Sequence, residues 1–212
     1  MKRYHHGNLR AALIEAGLIL IEEKGVRAFT LREIGTRAGV SRMAAYRHFA
    51  DKADLLRAIC EAGFARFGDA LEEARQNAGE DFASQLGAMG LAYIRFAAEH
   101  HAYYEVMFGS QDQAIQASAT ADRAFRILEE TIHQGQLTGE VREGDSVILA
   151  QLVWSMVHGV STLHLAADLS EGRAGAKFMS FCTEVLLTGL ASPRTGLPTP
   201  HSTLDSATQP TK

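Results

Sequence analysis

The distribution of proline constrains the fold of this 212-residue chain more than any other feature. There are four prolines, and three of them (Pro198, Pro200 and Pro210) lie in the last fifteen residues. The rest of the chain is almost free of residues that interrupt a helix, and it is dominated by Ala and Leu, which favour one. With 46% hydrophobic and 22% charged residues, the chain can also bury a core. We therefore predict an all-α protein.

Apolar periodicity divides the chain into a series of helices. The first is predicted to run from about residue 7 to Lys24 and to end at Gly25, because glycine readily takes the left-handed conformation of a helix end. Asp51 is expected to cap a long fourth helix from Lys52 to about Asn77. Further helical patterns cover about 81–100, 103–108, 112–136, 145–169 and 173–190. Residues 192–212 are rich in Ser, Thr and Pro, and we predict a disordered tail there.

The span from Thr30 to Phe49 contains two short helices separated by a very short turn. Thr30-Leu31-Arg32-Glu33 is a capping box, in which the Thr and Glu side chains each satisfy a free backbone N–H of the first turn. This helix ends at Gly39, and Ser41 can cap the next one. A connection of Gly-Val-Ser forces the two helices to cross steeply, which is the geometry of a helix-turn-helix. In that motif the second helix lies in the major groove of DNA, with its first residues against the bases.

The second helix of this motif has an inward apolar side and a polar, basic outer side. Ala45 and Phe49 are four residues apart and are predicted to face the core, with Val40 closing it. The outer side is expected to present Arg42, Met43, Ala44, Tyr46, Arg47 and His48. Arg is the commonest reader of guanine, and small apolar side chains suit thymine methyl groups. Lys52, at the start of the next helix, is placed to act with the helix N-terminus on one phosphate.

The charge distribution is uneven along the chain. Residues 1–57 carry eleven Lys and Arg against six Asp and Glu, a net charge of +5, which leaves −9 for the rest of a chain whose total is −4. A basic end and an acidic remainder suit a protein of which only one end meets phosphates. Charge alone would fit a solvated face without a partner equally well. The basic and aromatic residues clustered after the turn favour DNA.

This region resembles the tetracycline-repressor (TetR) family of regulators. The matching positions are Ala16–Leu20, Gly25, Thr30–Ile34, Ala38–Ser41, Tyr46–Phe49, Lys52 and Leu55. The resemblance implies that the DNA backbone is contacted by Thr30, Tyr46, His48 and Lys52, and that the bases are faced by Arg42, Met43 and Ala44. With Ser41 and Arg47 from the same helix, these residues are the candidate DNA-binding set. Ala45 departs from the pattern, because the family usually carries a larger aliphatic residue there.

The remainder of the chain resembles one branch of the same family in two places. These are the string Tyr103–Gly109 and, later, Trp154 with His158-Gly159. The resemblance implies a helical domain that binds a ligand and forms dimers. An interior rich in Met and aromatic residues either packs solid or leaves an adaptable pocket, and the sequence leaves both open. The candidate effector-binding residues are Tyr93, Phe96, Tyr103, Met107, Phe108, Trp154 and His158.

The last two long helices are the candidates for a dimer interface. The helix at about 145–169 carries an apolar stripe of Val153, Val157, Val160 and Leu163. The helix at 173–190 carries another of Phe178, Phe181, Val185 and Leu186. Two such helices from each subunit would form a four-helix interface. The alternative is that both stripes are buried within one chain.

No arrangement of residues indicates catalysis or a metal site. The nine histidines include no pair at i, i+4 spacing, and Cys60 and Cys182 are far from ligand spacing. Glu130 and His133 form a single Glu-x-x-His, whereas a di-iron bundle needs a second such pair and two more carboxylates. We therefore expect no enzyme activity, no metal and no cofactor.

The sequence also indicates where the protein acts. Cys60 and Cys182 fit buried free thiols in a reducing cytosol. No apolar run approaches the roughly 20 residues that span a bilayer, so no membrane partner is expected. We predict a cytoplasmic, nucleoid-associated protein.

These observations predict a DNA-binding head at 1–57 (motif 30–49), a helical ligand-binding and dimerisation domain at 58–191, and a tail at 192–212. The predicted architecture is a three-helix head joined through a long helix to a helical bundle. The predicted function is a homodimeric transcriptional repressor that binds a palindromic operator in double-stranded DNA and is released by an unknown small-molecule effector. The alternative is a helical small-molecule-binding protein or enzyme whose basic head is incidental. A third interpretation keeps DNA binding and makes the protein an activator or an architectural factor.

Overall fold

The computed structural model describes residues 9–109, 119–167 and 173–191, which are helical almost throughout and contain no strand. In these ranges the helices are α1 (Leu9–Lys24), α2 (Leu31–Arg37), α3 (Arg42–His48), α4 (Lys52–Gln76), α5 (Phe82–Glu99), α6 (His101–Gly109), α7 (Ala119–Leu137), α8 (Ser146–Ala167) and α9 (Arg173–Leu190). The prediction of an all-α fold is confirmed. The predicted helical residues 7–8, 112–118 and 168–169 and the predicted tail 192–212 lie outside the described residues.

The first helices begin and end at the residues that the sequence indicates. The Thr30 hydroxyl accepts the N–H of Glu33 at 3.3 Å, and the Glu33 carboxylate accepts the N–H of Thr30 at 2.9 Å, which completes the capping box. Ser41 and Asp51 cap α3 and α4. Gly25 has φ of 79°, a left-handed conformation that ends α1 at little cost only for glycine. These local signals fix the positions of α1 to α4 in the chain.

One hydrophobic core runs through the molecule from Leu13 in α1 to Leu190 in α9. Helix α4 is its spine, because it packs against α1, α5, α6 and α7. The crossing of α4 and α6 is close, since a Cβ added at Gly63 would lie 2.6 Å from the Met107 sulfur. The helix-turn-helix and the rest of the chain are therefore packed on one continuous core.

Helix α8 differs from its neighbours in being apolar on almost every side. By length and composition the stretch Ser146–Leu163 is able to cross a membrane, which makes the expectation that no apolar run approaches that length wrong. Only 22% of this stretch is buried within the chain. A helix at an interface between protein subunits has the same length and composition, so these properties alone do not indicate a membrane.

Candidate DNA interface and effector chamber

Helix α3 is held against α2 by small side chains. Ala45 is fully buried, and a Cβ added at Gly35 of α2 would lie 3.4 Å from the Ala45 Cβ. Phe49, at the C-terminal cap of α3, is also buried. The small residue at position 45, where the TetR family usually has a larger one, therefore faces a glycine. Helices α2 and α3 approach each other closely at this point.

The outer side of α3 carries a recognition surface that none of the described residues covers. It consists of the exposed side chains of Arg42, Met43, Tyr46, Arg47 and His48. Met43 is 70% exposed, and the Arg42 guanidinium lies 5.3 Å from the centre of the Tyr46 ring. Within the described residues, neither Arg42 nor Arg47 forms a salt bridge. Both cations are therefore available to an external partner.

Two other basic residues of the head, Lys24 and Arg37, are already in ion pairs. Lys24 lies 2.7 Å from Glu33, and Arg37 makes a bidentate contact with Glu23 at 2.6 and 2.7 Å. The Lys24 ammonium and the Thr30 hydrogen bonds lower the pKa of Glu33 to about 2. Lys24 and Arg37 are therefore less available to an external partner than Arg42 and Arg47.

Ala44 does not lie where the sequence pattern placed it. The prediction put it on the outer side of α3, but its side chain is only 7% exposed and lies inward beside Ala45. The helix begins at Arg42, and its residues Ala44 and Ala45 face inward with Phe49 at its cap. The prediction that Ala44 lies on the outer side is therefore wrong. Ala44 contributes packing rather than an exposed methyl group.

Three residues of the candidate DNA-binding set, Thr30, Ser41 and Lys52, form hydrogen bonds within the head. The Lys52 ammonium donates to the backbone carbonyls of Arg27 and Phe29, both at 3.0 Å, and lies 4.1 Å from the centre of the Phe29 ring. Partial burial lowers the pKa of Lys52. The Thr30 hydroxyl donates to Glu33 at 2.9 Å, and the Ser41 hydroxyl accepts the N–H of Ala44. The prediction that Lys52 is free for a phosphate missed the two carbonyls that this lysine binds.

An aromatic cluster occupies the centre of the larger helical region. Its rings belong to Phe67, Tyr93, Tyr104, Phe108, Trp154 and His158. His158 Nδ1 lies 2.8 Å from the Tyr93 hydroxyl and 3.1 Å from the Tyr104 hydroxyl, which is also 3.3 Å from Thr162 Oγ1. Burial lowers the pKa of His158 and raises that of Tyr93, so the neutral forms of both are favoured. This polar centre is uncharged and lies inside an apolar shell.

The partly buried His158 predicts a specific pH dependence of stability. Because its folded pKa lies below the ordinary value of about 6.5, the unfolded chain takes up the proton first as the pH falls. The stabilisation is complete above about pH 6.5 and is lost as the pH falls through the folded pKa. We expect His158→Gln to lower the thermal midpoint of unfolding near pH 7.5. Between pH 7.5 and pH 5 the midpoint of this variant should fall less than that of the unmodified protein. Parallel midpoint curves for the two proteins would contradict this.

A cavity of about 680 Å³, here called the ligand cavity, adjoins the aromatic cluster between α5, α8 and α9. Of the predicted effector-binding residues, Tyr93 and Trp154 line it. Phe108 and His158 belong to the aromatic cluster and contact Tyr93. Phe96 packs on Phe67 and borders a smaller cavity of about 280 Å³. The predicted residues therefore divide between the cavity wall and the packing behind it.

Tyr103 and Met107 lie elsewhere than predicted. Both side chains are buried, and both come within about 3 Å of a Cβ added at Gly63 of α4. Being four residues apart, they form the side of α6 that packs on α4. Tyr104, which the sequence prediction missed, joins the aromatic cluster instead. Its position beside Tyr103 was the only available signal.

Helix α6 also contacts the DNA-binding head directly. The Glu105 carboxylate accepts the backbone N–H of Val26 at 3.2 Å, just after the end of α1. Glu105 follows Tyr104 and precedes Phe108 by three residues, and both of these rings contact His158. A single short helix thus connects the aromatic cluster to the end of α1.

Helices α8 and α9 expose large apolar side chains that form what we call the α8–α9 face. It consists of Ile148, Leu152, Leu163, Phe178, Phe181 and Val185. The predicted stripe was partly wrong, because Val153 and Val160 are buried within the chain. Since α8 is apolar on most sides, its sequence pattern does not distinguish the side that faces the core.

The described residues contain no group of three or more His, Cys, Asp or Glu able to hold a metal ion. Cys60 and Cys182 are free thiols, and burial raises the pKa of Cys60 to about 11. Cys60 is fully buried, whereas Cys182 is partly exposed and borders the ligand cavity.

The helix-turn-helix with an exposed basic second helix, packed on a larger helical bundle, defines a DNA-binding regulator. Comparison with known families agrees. The model described as "Bacterial regulatory proteins, tetR family" matches residues 13–59, and that described as "Tetracyclin repressor-like, C-terminal domain" matches 86–188. The chain belongs to the TetR family of transcriptional regulators, which are not enzymes.

Three individual proteins are similar to this chain over most of its length. The HTH-type transcriptional regulator AcrR of Shigella flexneri is 22% identical, over 87% of this chain and 80% of its own length. A protein with unknown function from Rhodococcus sp. RHA1 is 28% identical with a TM-score of 0.80, over 91% of this chain and all of the other. FadR from Bacillus subtilis, solved in complex with stearoyl-CoA, is 19% identical with a TM-score of 0.71, over 85% of this chain and 98% of the other. The last similarity establishes a shared fold.

Proposed function

We propose that this regulator is a homodimeric repressor that binds a palindromic operator through α3 and leaves it when a small molecule binds. The observation that carries the proposal is the recognition surface, where two exposed arginines without a salt bridge to any described residue accompany a largely exposed Met43. Arg42 and Met43 stand in the first turn of α3, the part of a recognition helix that meets the bases. Tyr46, Arg47 and His48 would follow the backbone, with Thr30, Ser41 and Lys52 supporting the register.

The proposed division of labour follows the course of α4. Residues 1–57 would form the DNA-binding head, 58–191 the ligand-binding and dimerisation domain, and 192–212 a tail. The two family matches, at 13–59 and 86–188, support this division. A regulator of this kind would act in the cytoplasm at the nucleoid.

The α8–α9 face supports dimer formation. Six large apolar side chains on two adjacent helices are more than a solvated surface normally groups together. A second copy of the same face would cover them in a four-helix interface. A two-fold symmetric dimer presents its two α3 helices to two half-sites that are related by the same symmetry, so the operator would be palindromic.

The release mechanism would pass through α6. A ligand beside Tyr93 and Trp154 would shift the packing of Tyr104 and Phe108, and Glu105 would transmit the shift to the end of α1. A coupling free energy of about 1–3 kcal/mol would lower operator affinity about 5- to 150-fold. The ligand-bound FadR structure of B. subtilis supports the idea that a related fold holds an effector.

The bond between Glu105 and Val26 predicts a measurable contribution to stability. Glu105→Ala leaves a partly buried N–H without its acceptor, which we expect to cost about 1–3 kcal/mol. Glu105→Gln retains an acceptor oxygen and should cost less. The free energy of unfolding in urea measures both. Equal effects of the two substitutions would show that this hydrogen bond contributes little.

The proposed function is tested by a gel-shift titration against the DNA that flanks the protein's own gene. We expect a discrete complex that survives excess nonspecific DNA and weakens steeply with salt, because released counterions drive phosphate binding. A helical protein whose basic head is incidental would give no salt-dependent complex, and that result would refute the proposal.

A further inference from the structure

We infer that the ligand cavity takes an apolar effector without an anionic head group and discriminates against acyl esters of coenzyme A. This inference rests on the proposed function, because it names the chemical class of the ligand that would release the repressor. It also separates this chain from FadR of B. subtilis, with which it shares a fold.

The ligand cavity has the size of a small-molecule site and a largely aliphatic lining. At about 680 Å³ it lies within the range of roughly 300–1,000 Å³ typical of small-molecule sites. Its lining is dominated by aliphatic side chains, including Leu71, Leu86, Met89, Leu128, Val153 and Leu187. Such walls favour a ligand that is apolar over most of its surface.

Two glycines of α5 leave open space in the ligand cavity. Gly87 and Gly90 line the cavity, and a Cβ added at either would meet no atom within 4 Å. Glycine is the weakest helix former other than proline, so packing and helix stability would both favour a larger residue at these positions. The two glycines keep volume in the cavity that side chains of ordinary size would fill.

The described lining of the ligand cavity carries a single charge, which is negative. Glu184 on α9 is the one charged side chain among the described residues that border the cavity. Tyr93 offers no free positive or negative charge, and its hydroxyl is already engaged with His158. A phosphate-bearing ligand would find a carboxylate at the wall and no basic partner among the described lining residues, which opposes its binding. An uncharged or cationic ligand meets no such opposition.

A matched ligand series tests the inference on the purified full-length chain. Decan-1-ol, decyltrimethylammonium, decanoate and decanoyl-CoA share a ten-carbon chain; the first three differ mainly in head-group charge, and the CoA ester adds a large anionic head group. Each is titrated against bound N-phenyl-1-naphthylamine, an uncharged fluorescent probe. We expect decanol and the cation to displace the probe at concentrations roughly 10-fold or more below those of the CoA ester. Tighter binding by decanoyl-CoA than by decanol would overturn the inference.

Two substitutions connect the result to this cavity. Gly90→Leu places a side chain in the open space and should abolish probe binding, whereas Ala98→Leu adds the same side chain to an exposed position of α5 outside the lining. Glu184→Gln removes the negative charge from the cavity wall. It should reduce the ratio between the concentrations of decanoyl-CoA and decanol that displace the probe. Unchanged probe binding in Gly90→Leu would contradict the inference, and Gly87→Leu provides an independent repeat if Gly90→Leu does not fold.

A gel shift with the same preparations separates this inference from the proposed function. Gly90→Leu should retain operator binding, because none of the described residues that line the cavity belongs to α1, α2 or α3. If Gly90→Leu binds both the operator and the probe as the unmodified protein does, the effector does not bind in this cavity, and the proposed function still stands. The absence of operator binding in the unmodified protein would reject the proposed function itself. If Gly90→Leu instead weakens dimer formation while decanol fails to bind, the cavity holds a partner's side chains and the inference is wrong.

Discussion

Arg42→Ala is expected to abolish most of the discrimination between the operator and unrelated DNA. The guanidinium is exposed, has no salt bridge within the described residues and stands in the first turn of α3. A bidentate contact to guanine contributes about 1–3 kcal/mol of discrimination, so the operator complex should weaken about 5- to 150-fold while binding to nonspecific DNA changes little. Fluorescence anisotropy with operator and scrambled duplexes measures both.

A matched control for Arg42 is available in the same chain. Arg126 is an exposed arginine on α7, so Arg126→Ala removes the same charge far from α3. It should leave the ratio of operator to scrambled affinity unchanged. Tyr46→Phe should weaken both duplexes to a similar extent if the hydroxyl binds a phosphate. An unchanged ratio in Arg42→Ala would show that α3 does not read the bases through this residue.

Phe181→Glu is expected to separate the dimer into monomers. Phe181 is 62% exposed in the single chain, so a charge there leaves the monomer core intact while it disrupts a face built from apolar side chains. Two linked heads gain effective concentration that single heads lack, and its loss should lower operator affinity about 10²- to 10⁴-fold. Analytical ultracentrifugation and gel shifts on the same samples measure the two effects.

Leu137 provides the control for this substitution. It is 67% exposed at the end of α7, outside the α8–α9 face, so Leu137→Glu exchanges an equally exposed leucine for the same charge. We expect Leu137→Glu to remain dimeric and to bind the operator. A dimer that persists in both Phe181→Glu and Leu152→Glu would place the subunit interface elsewhere.

The features that the sequence predicted well are those fixed by neighbouring residues. The caps at Thr30, Ser41 and Asp51 depend on side chains within three positions of the backbone groups they bind. Gly25 and Gly39 end helices through their own backbone conformation. The positions of α1 to α4 and the exposure of Arg42 and Tyr46 followed from these local signals.

The features that the sequence missed depend on distant partners. Lys52 binds carbonyls more than twenty residues away, and Glu105 binds a backbone N–H 79 residues earlier. Val26 lies in the turn after α1, and nothing adjacent to Lys52 or Glu105 in the sequence indicates these contacts. Similarly, Ala44 is small enough to suit either side of α3, and only the packing against α2 decides which side it takes.

The most direct test of the account is a DNase I footprint on the DNA upstream of the protein's own gene. We predict a protected region with dyad symmetry, in which two half-sites lie about one helical turn (34–36 Å) apart or a multiple of it, as a dimer with two α3 helices requires. The protection should disappear in Arg42→Ala and weaken when an effector is added. A protected region without symmetry, or one that Arg42→Ala leaves intact, would contradict the central claim that paired α3 helices recognise the operator.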